Sequence, residues 1–340
     1  MSAMVPDLLR EYGAMTRERV ESYLPDEGWQ PYFRDPLVDY PRRGGKMMRP
    51  GLCIATARAY GASIEDALGS AAAIELLHNA LLIHDDIQDG SEERRGIPTL
   101  HELHGIPLAI NAGDTLAMLS LRPLIDNVDI IGPRLASSIM EQSQHMAMAS
   151  AEGQAMELGW IRDQRLDLQD EDYLEMVLKK TCWLATIFPV LVGAIIGTRD
   201  NTDFEPLIRY GFLFGAAFQI QDDLMNLEAD DRYGKEINGD IYEGKRTLML
   251  LHVCRSCSEE ERRALIEIMA LPREERDDDH VTWVRSLMET YGSLTHARGV
   301  AHGLAGAALA EWAQTFGQLP VSRDRDFLKE IVTWVFQRTS

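Results

Sequence analysis

An all-α fold follows from three features of the 340-residue chain. Stretches 51–97, 134–188 and 207–271 contain no proline and are each long enough for several helices. Their apolar residues recur at steps of three and four, as in Ala73, Leu76, Leu77, Ala80, Leu81 and His84, which line one face of a helix. The strict alternation that marks half-buried strands is not evident.

In chain order, an opening helix is expected over about 6–23, with Leu8, Leu9, Tyr12 and Met15 on one face. Pro25, Pro31, Pro36, Pro41 and Pro50 crowd the next stretch, so about 25–50 should be irregular. A helical core should fill about 51–340. Within it, residues 273–280 read as a charged, solvated turn, including Asp277-Asp278-Asp279-His280. No low-complexity linker and no short repeat divides the chain, so 1–340 is expected to be a single domain.

Composition narrows the function. Hydrophobic residues make up 45% and charged residues 26%, as in a soluble globular protein. A net charge of -20 argues against a general nucleic-acid surface, which needs clustered positive charge. No uninterrupted apolar run of about 18 residues stands out, so no integral membrane segment is expected. The first residues lack the pattern of a secretory signal, which leaves the cytoplasm as the expected location. Cys53, Cys182, Cys254 and Cys257 include one lone CxxC, and ordinary reduced thiols are the expectation.

The chemistry sits in two acidic segments. In Asp85-Asp86-Ile87-Gln88-Asp89, Asp85 and Asp89 are four apart, on one helix face and about 6 Å apart along the axis. Like charges at that spacing repel, and a hard divalent cation would offset the cost. Magnesium suits such a place, because it pairs a few carboxylates with substrate phosphates. The same logic recurs in Phe218-Gln219-Ile220-Gln221-Asp222-Asp223, with Asn226 on the face of Asp222. Compact basic sets accompany them: Lys46 and Arg49 beside Gly44-Gly45, Arg94-Arg95, Lys179-Lys180, and Lys235 and Lys245 around Gly239-Asp240. Arginine for planar contacts and lysine as point charge are what an oligophosphate needs.

These residues resemble the signatures of the trans-isoprenyl diphosphate synthases, the polyprenyl synthetase family, including members that make geranylgeranyl or longer diphosphates. DDxxD followed by RRG is present as Asp85–Gly96. Elements of the form GGKxxRP, ExxH and KT match Gly44–Pro50, Glu75–His78 and Lys180-Thr181. The match runs in order from about residue 40 to 250. The resemblance implies an isoprenoid-synthase-type helical bundle around a deep central cavity. It also implies head-to-tail condensation of isopentenyl diphosphate with an allylic diphosphate, three Mg2+ per site and a homodimer. Carried over residue by residue, Lys46, Arg49, His78 and Arg95 would hold isopentenyl diphosphate. Asp85, Asp89 and Asp222 would ligate metal, with Asp86 and Asp223 in support. Arg94, Lys180, Thr181, Gln219, Asn226, Lys235 and Lys245 would surround the allylic diphosphate. Asn226 departs from the strict DDxxD form and should weaken one metal contact or replace it with a hydrogen bond. Ala80 and Leu81, the fifth and fourth residues before Asp85, occupy the chain-length positions. Neither is aromatic, and no Phe, Tyr or Trp lies between Tyr60 and Trp160. A product of twenty carbons or more is expected, with Leu77, Leu81, Met118 or a partner subunit as a floor. A class I terpene cyclase would need only one diphosphate site, which leaves Lys46, Arg49, His78 and Arg95 surplus. A non-catalytic partner subunit would be expected to lack one acidic motif, and both are present.

Overall fold

The computed structural model describes residues 4–228 and 237–337. Among these, helices account for all regular structure except one two-stranded hairpin. Helix α1 spans Met4–Glu21 and buries Leu8, Leu9 and Tyr12.

Helix α2, Pro31–Arg42, overturns the expected irregular segment. Pro31 stands at its start, where no N–H donor is needed. Pro36 and Pro41 each delete one helical bond. Burial of Leu37, Val38 and Tyr40 carries the helix through nonetheless.

Helix α3 (Met48–Ala59) leads to α4 (Ile64–Asp89). A capping box starts α4: Ser63 Oγ accepts the Asp66 N–H at 3.2 Å, and Asp66 Oδ2 accepts the Ser63 N–H at 3.1 Å. Gly90 ends it at φ 63°, a left-handed cap suited to glycine. Strands β1 (Glu93–Arg94) and β2 (Ile97–Pro98) pair antiparallel, joined by Arg95 (φ 60°) and Gly96 (φ 72°). Positive φ at both turn residues is the type I′ hairpin geometry.

Next come α5 (Leu100–His104), α6 (Ile106–Leu119), α7 (Leu121–Ile130) and the long α8 (Pro133–Arg162). Helix α9 (Asp170–Val177) runs into a ten-residue π-helical segment, Leu178–Ile187, and then α10 (Phe188–Thr198). Helix α11 (Glu205–Glu228) packs against that segment, and α12 (Gly239–Glu243) and α13 (Leu248–Ser256) follow. Helices α14 (Glu259–Met269), α15 (Asp278–Thr290), α16 (Ser293–Thr315) and α17 (Arg323–Trp334) complete the layers.

Residues 273–280 are not the solvated turn expected. Asp277 caps α15 by accepting the His280 N–H at 3.0 Å. Arg276 is buried and donates to the carbonyls of Ile241, Met269 and Leu271 at 2.9, 3.2 and 2.6 Å. All four cysteines are buried free thiols. Two helical stretches, Ile64–Asp89 and Asp170–Thr198, are by length and composition long and apolar enough to cross a membrane. Most of each is buried inside the fold, where it forms the core.

Candidate active site

Helices α4, α8 and α11, the π-helical segment, and the loop around 43–49 enclose a cavity of about 1140 Å³. Asp85 and Asp89 project into it from the C-terminal turn of α4, and Asp222 and Asp223 from the last turns of α11. The two acidic segments, remote in sequence, thus line one space.

Asp85 and Asp89 each already have a cationic neighbour. Lys180 Nζ lies 3.5 Å from Asp85 and also bonds Glu157. Lys245 Nζ lies 2.8 Å from Asp89 and 2.5 Å from Glu243. Burial works against both ammonium groups, yet the surrounding carboxylates raise their pKa values and keep them charged. Burial pushes the Asp89 carboxyl up to about 7; Lys245 opposes this, while Asp85 and Glu243 add to it.

The second aspartate of each pair behaves differently. Asp86 is fully buried and accepts Arg94 Nε at 2.8 Å, Arg94 Nη2 at 2.5 Å and the Tyr40 hydroxyl. Asp223 accepts the Tyr173 hydroxyl at 2.7 Å and the Gln219 amide at 2.7 Å. The Thr181 hydroxyl donates to Gln219 Oε1 at 3.0 Å. Burial lifts the Asp223 carboxyl to about 6, opposed by those two donors. Asn226, also buried, accepts the Asp240 backbone N–H at 3.1 Å through its side-chain oxygen.

A second set of basic side chains, Lys46, Arg49, His78 and Arg95, also lines the cavity. Arg49 Nη1 lies 3.2 Å from His78 Nε2. Arginine has no acceptor, so Nε2 accepts and the ring proton sits on Nδ1. Burial, reinforced by Arg49 and Arg95, holds the ring well below the usual histidine range, so it stays neutral. Burial also lowers Arg49 to about 10, and its Nε is buried without a hydrogen-bond partner. A buried guanidinium with an unused donor is a site prepared for an anion.

Lys235 lies outside the described residues. Every other residue assigned to the metal or to a diphosphate, except Asp86, borders the cavity. Leu81 and Leu77 are on its wall, whereas Ala80 is fully buried in a separate cluster with Leu37, Tyr40 and Leu116. Consecutive helical residues diverge by about 100°, so neighbours need not share a wall. Met118 is 68% exposed on α6. Sequence reasoning missed Tyr40, Tyr173, Glu157 and Glu243. Glu157 lies four residues beyond Gly153, where α8 approaches the Lys180 backbone so closely that a Cβ would sit 2.1 Å from its nitrogen. That contact between distant segments leaves no local mark in sequence.

Among the described residues, no three His, Cys, Asp or Glu side chains converge into a complete metal cage. Magnesium does not require one: it commonly takes one or two carboxylates plus phosphate oxygens. Asp85, Asp89 and Asp222, hard oxygen donors that line one cavity, fit that demand.

Residues 30–288 match the family model described as polyprenyl synthetase. The chain belongs to the polyprenyl synthetase family. A curated member, the short chain isoprenyl diphosphate synthase of Methanothermobacter thermautotrophicus, is 37% identical over 87% of this chain and 88% of its own. The geranylfarnesyl diphosphate synthase of Natronomonas pharaonis is 30% identical over 87% of each chain. Among solved polyprenyl synthetases and their kin, geranylgeranyl pyrophosphate synthetase from Pyrococcus horikoshii superposes with a TM-score of 0.85 at 29% identity, covering 98% of each chain. Polyprenyl synthase from Caulobacter crescentus, complexed with calcium and isoprenyl diphosphate, gives 0.86 at 26% identity over 99% of this chain and 98% of that one.

Proposed function

We propose that this polyprenyl synthetase is a magnesium-dependent (E)-prenyltransferase. It condenses isopentenyl diphosphate head to tail with an allylic diphosphate and releases pyrophosphate. The observation that carries this is that two sets of basic side chains and two acidic helix ends all line one cavity. A single-diphosphate enzyme would have no use for the Arg49–His78 group.

Lys46, Arg49, His78 and Arg95 hold isopentenyl diphosphate. Arg94, Lys180, Thr181, Gln219, Asn226 and Lys245 surround the allylic diphosphate, and Lys235 is assigned with them. Asp85, Asp89 and Asp222 hold three Mg2+ together with substrate oxygens, while Asp86 and Asp223 support them. Bound there, magnesium supplies positive charge against the pyrophosphate as the allylic C–O bond breaks. Lys180 and Lys245 add fixed charge at the same place, worth most in a water-poor cavity. Leu77, Leu81, Leu184 and Phe218 give that cavity an apolar wall that keeps water from the allylic cation. The alkene attacks the cation, and the proton lost from the new carbon skeleton passes to the departing pyrophosphate.

Products of twenty carbons or more fit a wall without an aromatic residue on α4. The chain acts as one domain and as a homodimer. Ile106, Ile110, Met118, Ile125, Val128 and Met148, each at least 42% exposed on the adjoining α6, α7 and α8, supply an apolar face for the second copy. A cytoplasmic location is supported by four unpaired thiols. Purified protein incubated with magnesium, isopentenyl diphosphate and dimethylallyl, geranyl or farnesyl diphosphate in turn should elongate at least one primer. Elongation of none would overturn the assignment.

A further inference from the structure

We infer that Tyr40 and Tyr173 are positioning residues that set the diphosphate-binding side chains through the second aspartate of each acidic pair. This rests on the prenyltransferase reading. The two acidic segments are built alike in a way their sequences do not reveal. In each, the second carboxylate is buried, 1% exposed for Asp86 and 6% for Asp223. In each, one of its oxygens takes the hydroxyl of a fully buried tyrosine from a different helix, Tyr40 of α2 or Tyr173 of α9. In each, the carboxylate then holds a side chain on the cavity wall. For Asp86 that side chain is Arg94; for Asp223 it is Gln219, which passes the constraint to Thr181. The tyrosine precedes its aspartate by 46 residues in one case and 50 in the other.

Geometry explains why a tyrosine is needed. A carboxylate bonded to one side chain keeps freedom to rotate; a further donor from another helix restricts it. Tyr40 is itself fixed. Its hydroxyl accepts the Leu100 N–H at 3.4 Å, and the Arg43 guanidinium lies 4.5 Å from its ring centre. Arg43 also donates to the carbonyl of Pro98 at 2.8 Å, so the same residues hold the hairpin that carries Arg94. Burial and the neighbouring carboxylates raise both phenols, so each keeps the proton it donates. On the α11 side, Asp223 accepts from the Gln219 amide, which turns Gln219 Oε1 toward Thr181. Loss of the Tyr173 hydroxyl would free that amide to turn.

The chain contains its own control. Tyr12 donates to Asp324 where α1 meets α17, and both are buried, but neither borders the cavity. Tyr12→Phe removes an equivalent bond with only a structural consequence. The test compares Tyr40→Phe, Tyr173→Phe and Tyr12→Phe, with fold integrity checked by thermal melting. Calorimetry would measure binding of a non-reactive allylic thiolodiphosphate with magnesium, and steady-state kinetics would give the KM of each substrate. Tyr40→Phe and Tyr173→Phe should each weaken analogue binding about tenfold, the scale of one charge-assisted bond. The KM for isopentenyl diphosphate should stay within twofold for Tyr173→Phe, and Tyr12→Phe should bind the analogue as wild type does. If a Phe variant does not fold, Asp86→Asn or Asp223→Asn replaces it, with an affinity loss at least as large expected. Wild-type affinity in the site variants, or an equal loss in Tyr12→Phe, would overturn the inference. Failure of the wild-type protein itself to bind the analogue would instead sink the prenyltransferase reading beneath it.

Discussion

Product length should respond to position along α4, and the structure scales the effect. Leu81 lies four residues before Asp85 and Leu77 eight, so they stand about 6 and 12 Å from the diphosphate end along the helix axis. One isoprene unit spans four carbon–carbon bonds, roughly 5 Å when extended. Leu81 therefore flanks the end of the first unit and the start of the second, and Leu77 the boundary of the second and third. Phenylalanine at either position narrows the passage there. Forcing a chain past an overpacked wall costs about 1–3 kcal/mol, which slows the next elongation about 5- to 150-fold. That is enough to change the main product. With farnesyl and geranyl diphosphates as primers and chromatography of the dephosphorylated products, Leu81→Phe should stop at ten to fifteen carbons. Leu77→Phe should stop at fifteen to twenty. Both should retain the melting temperature of the wild type within a few degrees. Unchanged distributions in both variants, or a longer block at Leu81 than at Leu77, would refute a chain that grows along this wall.

Three further outcomes follow from the site. Asp85→Ala should lower kcat about 100- to 1000-fold, the usual loss when one electrostatic stabiliser is removed; near-full turnover would refute its role. Gly153→Ala, normally a helix-stabilising change, should instead lower the melting temperature and reduce kcat at least tenfold, because its Cβ would sit 2.1 Å from the Lys180 nitrogen. A melting temperature at or above that of the wild type would contradict the close crossing. His78 has a folded pKa held far below the histidine norm by burial and by Arg49 and Arg95. The unfolded chain therefore takes up the proton first, so this contribution is present above about pH 6.5 and lost as pH falls. At pH 5.5 the unfolded ring is largely protonated while the buried folded ring resists the proton, so the folded state loses stability. Denaturant titrations of wild type and His78→Asn from pH 7.5 to 5.5 should therefore diverge, with the wild type falling faster. Parallel curves would mean that His78 titrates normally.

Most of the helical layout is legible because proline punctuation and three-four apolar spacing are local signals. Helix α2 was hidden for the same reason: its prolines are local and unfavourable, while the burial of Leu37 and Tyr40 that overrides them is tertiary. Likewise Arg276 reads as one charge in a polar run, yet the carbonyls it satisfies come from residues outside that run, Ile241, Met269 and Leu271. In the site, residues whose chemistry faces substrate carried recognisable spacing, as at Asp85 and Asp89 or Lys46 and Arg49. Those that hold them in place did not. Glu157 meets Lys180 because α8 and the π-helical segment cross at Gly153, and Tyr40 meets Asp86 across 46 residues. Such partners are set by packing, which one sequence does not spell out. Ala80 illustrates the same limit within a single helix turn, since only the neighbouring Leu81 reaches the cavity.

Two substrates meeting in one cavity is the central claim, and stoichiometry tests it most directly. With magnesium and farnesyl diphosphate as primer, isopentenyl diphosphate consumed and pyrophosphate released should be measured in the same reaction. One pyrophosphate should appear for each isopentenyl diphosphate consumed, with none released when isopentenyl diphosphate is withheld. Pyrophosphate release that proceeds without isopentenyl diphosphate would contradict the claim and point to an enzyme that ionises a single diphosphate.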